Sequence, residues 1–131
     1  MAAPRPQSII DLINHLPSWW FHGASWDAWK TVLKATFGLP LDTGERERFA
    51  TLTGRTSPPT QPVTECWCIV GRRGGKSIVA ALIAVYLSCF KQYGALLAPG
   101  ERGTVMVLAR DRRQVEWSSA TSPRSSTKSP R

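Results

Sequence analysis

The sequence has few residues of the kinds that bind metal ions or form disulfide frameworks. It contains three cysteines and two histidines, and none of them has the C-x-x-C or Cys/His spacing of a zinc site. Cys66, Cys68 and Cys89 fall in apolar stretches, so we predict buried, reduced thiols. His15 and His22 stand alone, which favours surface or packing roles over catalysis.

A long apolar run and a secretion signal are also missing. The longest apolar stretch, residues 78–90, is interrupted by Ser88 and is shorter than the roughly 20 residues that cross a bilayer. The N-terminus has no basic start followed by an apolar core and a small-residue cleavage site. We therefore expect a protein that stays in the cytoplasm and does not enter a membrane.

Acidic residues are scarce. Nine Asp and Glu stand against 17 Lys and Arg, for a formal net charge of +8. Such a balance favours polyanionic partners, nucleic acid first, through attraction to phosphates that carries no sequence information. At 131 residues, with 42% hydrophobic residues and six tryptophans, the chain is long enough for one folded domain and too short for a two-domain motor or nuclease.

Three helices are predicted in the first part of the chain. They cover residues 6–16, 25–38 and 42–54, each with apolar side chains at helical spacing and with proline or glycine at or near its end. Ser25 and Asp42 are the expected N-caps of the second and third helices. An extended, proline-rich connector follows and completes an N-terminal helical segment, residues 1–63.

The second part of the chain has a different pattern. Residues 65–70 (ECWCIV) and 104–109 (TVMVLA) are β-prone, and an apolar helix is predicted between them over residues 76–90. This order predicts one strand-loop-helix-strand unit of a parallel sheet within residues 64–114. Residues 115–131 are rich in serine and proline and basic, so we expect a disordered tail.

A glycine-rich loop lies between the predicted strand and helix. In GRRGGKS, residues 71–77, glycines allow backbone N–H groups to turn toward phosphate oxygens, and the helix start adds further N–H groups. Lys76 would reach the β- and γ-phosphates, and the Ser77 hydroxyl would coordinate Mg²⁺. The expected cofactors are ATP and Mg²⁺. The expected ligand-binding residues are Gly71, Arg73, Gly74, Gly75, Lys76 and Ser77.

The loop departs from the standard pattern by one residue. G-x-x-x-x-G-K-[ST] requires glycine six positions before Lys76, where Val70 stands, with Gly71 one place later. We therefore interpret it as a variant Walker A loop, and the fold class as α/β, a partial P-loop NTPase fold. Arg72 and Arg73 have two interpretations: an arginine that stabilises transition-state charge in cis, or a contact with DNA or solvent. A basic turn without a ligand is the alternative for the whole loop.

Four segments occur in a characteristic order between residues 26 and 114. They read WxxWKxxLKAxFGLPL, TGRxxPP, ExWxIxGRRGGKS, and APGERG before a stretch that ends in LARDRRQ. Together they resemble the N-terminal ATPase region of phage terminase large subunits. The resemblance implies an ATPase that drives DNA into a procapsid in a bacterial host cell and is joined to a C-terminal nuclease.

The same resemblance implies partners and one residue role. The partners would be double-stranded DNA, the portal and the small terminase subunit, and an oligomer would form only with the full-length motor. In this family the arginine four positions before the loop lysine helps to trigger hydrolysis. That position is Arg72, the possible catalytic arginine.

The chain lacks groups that the family needs for turnover. A P-loop ATPase places an acidic pair at the end of another strand, to hold Mg²⁺ and polarise the attacking water. Asp111 is the available alternative, but Arg110 separates it from the predicted strand. The nuclease carboxylates are missing as well. The amino-acid composition of the tail is the kind that a frameshift or a truncated reading frame would produce. We expect a truncated fragment that binds ATP-Mg without independent turnover.

Other functions remain open at this level. The chain could be a fragment of another P-loop protein, such as a helicase or a kinase, or a non-enzymatic, basic nucleic-acid-binding protein. A helicase needs further motifs that this length excludes, and a small kinase needs a lid and an acceptor site. A non-enzymatic binder would show no dependence on nucleotide. The sequence leaves enzymatic activity itself open.

Overall fold

The chain is described by a computed structural model that covers residues 6–93 and 95–108. Its elements are four α-helices, a short 3₁₀ turn before the second and a π-helical turn that continues the fourth. They are α1 (Ile9–His15), the 3₁₀ turn (Ala24–Trp26), α2 (Asp27–Thr36), α3 (Thr43–Thr53), α4 (Lys76–Val85) and the π turn (Tyr86–Phe90). No helix in this part of the chain is long and apolar enough to cross a membrane.

The predicted α/β fold is wrong. Over residues 6–93 and 95–108 the structure contains no β-strand, so there is no parallel sheet and no P-loop NTPase fold. The two predicted strands, residues 65–70 and 104–108, have no regular secondary structure, and we call them the exposed apolar segments. A strand needs a neighbour to satisfy its backbone N–H and C=O groups, and β-prone composition does not supply one. Trp67 and Leu108, each 87% exposed, show that large apolar side chains of both segments lie outside the cores.

Local capping interactions explain where two helices begin. The Ser8 hydroxyl accepts a hydrogen bond from the Asp11 N–H, and the Asp11 carboxylate accepts one from the Ser8 N–H, at 3.1 and 2.9 Å. Asp42 and Glu45 make the same reciprocal pair at the start of α3, at 2.8 and 3.0 Å. The predicted cap at Asp42 is therefore confirmed. The predicted cap at Ser25 is wrong, because α2 begins without a side-chain cap.

The main core joins both parts of the chain. Its buried side chains come from α1, from α2, from the loop between them and from α4 with its π turn. They are Ile9, Leu12, Ile13, Phe21, Leu33, Val79, Leu82 and Tyr86. The Tyr86 hydroxyl also donates to the carbonyl oxygen of Gln7 at 3.3 Å. The apolar helix that was predicted beneath a sheet therefore packs on the N-terminal helices instead.

A smaller core joins α2 to α3. It consists of Ala35, Leu41 and Phe49. An ion pair lies beside it, with Lys34 Nζ 2.5 and 2.8 Å from the two carboxylate oxygens of Glu45. We call residues 6–54 together with α4 and its π turn the helical region. The predicted tail, residues 115–131, and Asp111 lie outside the described residues.

Candidate phosphate-binding loop

Residues 71–75 form a tight turn that leads into α4, and Lys76 and Ser77 are the first residues of that helix. The Gly74 N–H donates to the Gly71 carbonyl oxygen at 3.2 Å. Arg73 and Gly75 adopt left-handed backbone conformations, with φ of 62° and 79°. Left-handed residues in such turns direct neighbouring N–H groups into one concavity, which is the arrangement that binds anions in phosphate loops. A left-handed arginine is uncommon, because its Cβ crowds the backbone there.

The first turn of α4 leaves hydrogen-bond donors free of helical partners. Gly75 is the N-cap and has no side chain to bond the first N–H groups. The first bond across the helix start runs from the Val79 N–H to the Gly75 carbonyl oxygen, at 3.1 Å. Backbone N–H groups before Val79 therefore point out of the helix start, where the helix dipole also favours negative charge.

Three cations lie on or beside this turn. Arg72, Arg73 and Lys76 are exposed. The ion pairs found among the described residues involve Lys30 and Lys34 of α2, so neither of them neutralises a cation of the loop. A helix start with unpaired N–H donors and three nearby positive charges has the electrostatics of an anion site.

Two tryptophans of the helical region hold the loop in place. The Trp29 indole N–H donates to the Gly74 carbonyl oxygen at 2.8 Å, across 45 residues of sequence. The Trp26 ring packs against Gly75, where an added Cβ would lie 2.9 Å from a ring carbon. Gly74 has no room for a side chain either, since its Cβ would lie 2.5 Å from Val70 Cγ1. The loop therefore packs against the start of α2 and does not follow a β-strand.

Sequence reasoning missed this role of the tryptophans. In the sequence, Trp26 and Trp29 are two of the apolar side chains at helical spacing in the helix predicted over residues 25–38. Their spacing of three residues puts both on one side of adjacent helical turns, which is compatible with the observed contact but does not predict its partner. No signal in the sequence identifies Gly74 as the acceptor of the Trp29 indole.

The residues of the loop offer a cation for a nucleotide phosphate and one hydroxyl oxygen for a metal ion. Lys76 and Ser77 are both exposed at the first turn of α4. In the described ranges, no group of three or more His, Cys, Asp or Glu side chains is placed to hold a metal ion. Mg²⁺ commonly keeps several waters and takes its other ligands from phosphates and one or two protein oxygens. The Ser77 hydroxyl is the available protein oxygen in the loop.

A separate depression lies between α2 and α3. It encloses about 260 Å³ and is lined by Asp27, Lys30, Asp42, Gly44, Glu45 and Arg48. Its carboxylates already have local partners: Asp42 and Glu45 cap α3, and Asp27 lies 3.8 Å from Lys30. We therefore assign this depression a structural role.

The predicted thiol environment also needs correction. Cys66, Cys68 and Cys89 are exposed, so the prediction of buried thiols is wrong. The reason for the first two is that the strand expected to bury them does not form among the described residues.

Comparisons of the chain with models of known protein families, with curated proteins and with solved structures gave no match.

Proposed function

We propose that the loop at residues 71–77 binds the phosphates of ATP with Mg²⁺. The observation that carries this proposal is the turn itself: left-handed Arg73 and Gly75 precede an uncapped helix start, beside exposed cations. Backbone N–H groups would contact phosphate oxygens, and Lys76 would add a charge-assisted hydrogen bond. Ser77 would supply one oxygen to Mg²⁺, and Arg72 would stabilise charge on the transferred phosphoryl group.

We further propose that the chain is the N-terminal region of a phage terminase large subunit, acting in the cytoplasm of a bacterial host. The four ordered segments between residues 26 and 114 support this assignment. Double-stranded DNA, the portal and the small terminase subunit would then be its partners, with an oligomer only in the full-length motor. The net charge of +8 suits a protein that works on DNA.

The proposal covers binding and not turnover. Hydrolysis requires an acidic group that holds Mg²⁺ and orients the attacking water, and the chain has no acidic pair of the expected kind. Loss of such a group costs orders of magnitude in rate. We therefore expect nucleotide to bind without steady ATP hydrolysis by the isolated chain.

Titration with a fluorescent ATP analogue and Mg²⁺ tests the loop. Lys76→Ala should weaken binding about tenfold or more, because a hydrogen bond from a charged donor contributes about 1.5–3 kcal/mol. Lys91→Ala is the matched control. It removes the same charge just beyond the π turn, roughly 20 Å from Lys76 along the helix.

Two outcomes of this titration would count against the proposal. Equal affinity of Lys76→Ala and wild type would make the loop a basic turn without a ligand. Equal weakening by Lys76→Ala and Lys91→Ala would point to general attraction between a basic chain and a polyanion, as expected of a non-enzymatic nucleic-acid-binding protein.

A further inference from the structure

Two exposed thiols lie in contact just before the phosphate-binding loop. The sulfur atoms of Cys66 and Cys68 are 3.7 Å apart. Both side chains are exposed, so small molecules in solution can reach them. Neither sulfur belongs to a core cluster or takes part in the hydrogen bonds of residues 71–77.

We propose that Cys66 and Cys68 form a redox-active dithiol, which a small-molecule disulfide such as glutathione disulfide oxidises to an intrachain disulfide. The proposal concerns these two sulfurs alone and does not depend on nucleotide binding.

The reaction proceeds by two thiol–disulfide exchanges. The Cys66 thiolate attacks one sulfur of glutathione disulfide, its S–S bond breaks, and one glutathione thiolate leaves. The Cys68 thiol then loses its proton to solvent and attacks the Cys66 sulfur, which releases the second glutathione. The dithiol loses two protons and two electrons, and the small disulfide is reduced to two glutathione thiols.

The surroundings assign the two sulfurs different parts in this sequence. The Thr36 hydroxyl of α2 donates to the Val32 carbonyl oxygen at 2.8 Å, and its oxygen lies 3.6 Å from the Cys66 sulfur, which places this sulfur against the helical region. Partial desolvation raises the pKa of the otherwise exposed Cys68 thiol, and the adjoining Cys66 raises it further. A higher pKa leaves less of Cys68 in the attacking thiolate form, which favours it for the second, resolving step.

No regular secondary structure opposes closure of the ring between the two sulfurs. A disulfide brings the two sulfurs from 3.7 Å to about 2.05 Å. Residues 66–68 are in neither a helix nor a strand, so closure disrupts no regular hydrogen-bond ladder. The intervening Trp67 is 87% exposed, and its ring is not packed in a core. A short, exposed ring of this kind is strained, and strained exposed disulfides are readily reduced.

The third cysteine provides an internal control. Cys89 is exposed as well, and it lies in the π turn at the far end of α4. Exposure alone would make all three thiols react alike. The proposal requires instead that Cys66 and Cys68 pair with each other and that Cys89 stays outside the pair.

The experiment equilibrates the whole chain with mixtures of reduced glutathione and glutathione disulfide, followed by acid quenching, intact mass measurement and mapping of disulfide-linked peptides. Wild type and Cys89→Ser should each form the Cys66–Cys68 disulfide, with loss of two hydrogen atoms, and recover them on reduction. Cys66→Ser and Cys68→Ser should lose this species completely. Each should instead retain a stable glutathione adduct on the remaining thiol of the pair.

Three results would overturn the proposal. One is wild type that carries glutathione on both Cys66 and Cys68 without loss of the adducts. Another is a disulfide that maps mainly to Cys89. The last is an oxidised product made mainly of disulfide-linked dimers at low protein concentration.

Discussion

The helical region and the exposed apolar segments carry similar kinds of side chain and bury them to very different degrees. In the helical region, Ile9 and Leu33 are 0% and 1% exposed. In the exposed apolar segments, Ile69 is 106% exposed and Leu108 87%. A helix satisfies its own backbone hydrogen bonds and presents an apolar stripe, so it can pack on any neighbouring helix. The backbone N–H and C=O groups of a strand need hydrogen-bond partners on a neighbouring strand. Without that neighbour, its apolar side chains also lack a surface to pack against.

The candidate phosphate-binding loop, residues 71–77, lies at the boundary between these two regions. On one side it follows residues 65–70, which pack poorly, and on the other it begins α4, which contributes Val79 and Leu82 to the core. Its carbonyl contact with Trp29 ties it to the helical region. The conformation of the loop therefore depends on helix packing more than on the segment that precedes it.

The largest expected effect is a loss of stability when a core side chain is truncated. The same truncation in an exposed apolar segment tests whether the two regions differ in solution as they do in the structure. Leu33→Ala should lower the free energy of unfolding by about 2–5 kcal/mol, because it leaves a cavity in a packed core. Ile69→Ala, the matched control in an exposed apolar segment, should change it by less than about 0.5 kcal/mol. Urea unfolding followed by circular dichroism measures both. Similar losses for the two variants would mean that Ile69 is packed in solution, and the contrast between the regions would fail.

A smaller effect is expected at the boundary, in the loop. Gly75→Ala forces a side chain into a left-handed position with φ of 79° and against the Trp26 ring. We expect a cost of about 1–3 kcal/mol in unfolding free energy, as for other strained left-handed residues. Gly71→Ala is the control, since nothing lies within 4 Å of its added Cβ. Thermal unfolding of the two variants compares them directly, and equal stability would show that the loop does not pack on Trp26.

The smallest expected effect concerns pH and the core tyrosine. Burial raises the pKa of Tyr86 above its usual value of 10.0, with a further contribution from Asp11. Because the folded state favours the neutral phenol, this contribution to stability is present below pH 10 and is lost as the pH rises through the folded pKa. Unfolding free energy should therefore fall less steeply above about pH 10 in Tyr86→Phe than in wild type.

Tyr93→Phe serves as the comparison for the alkaline series. Lysine deprotonation contributes to the pH dependence of every variant, so only the difference between slopes is informative. A Tyr86→Phe slope equal to that of wild type and of Tyr93→Phe would place Tyr86 in contact with solvent. That result would remove Tyr86 from the core that joins the two parts of the chain.

The sequence by itself determined the helices and the composition of the loop. Asp42 and Glu45 stand three residues apart and cap α3, because capping groups reach only neighbouring N–H groups. The glycines and Lys76 at the start of α4 are equally local, so the phosphate-loop hypothesis needed no tertiary information. The hypothesis concerns what this turn binds, and it stays a prediction.

Tertiary structure decided everything that depends on residues far apart in the sequence. The expected sheet needed a partner for residues 65–70, and β-prone composition specifies neither that partner nor its register. The contact between Trp29 and Gly74 spans 45 residues, and the contact between Thr36 and Cys66 spans 30. The spacing of apolar residues indicates which face of a helix is apolar. The packing of the helices and loops against one another determines which atoms that face contacts.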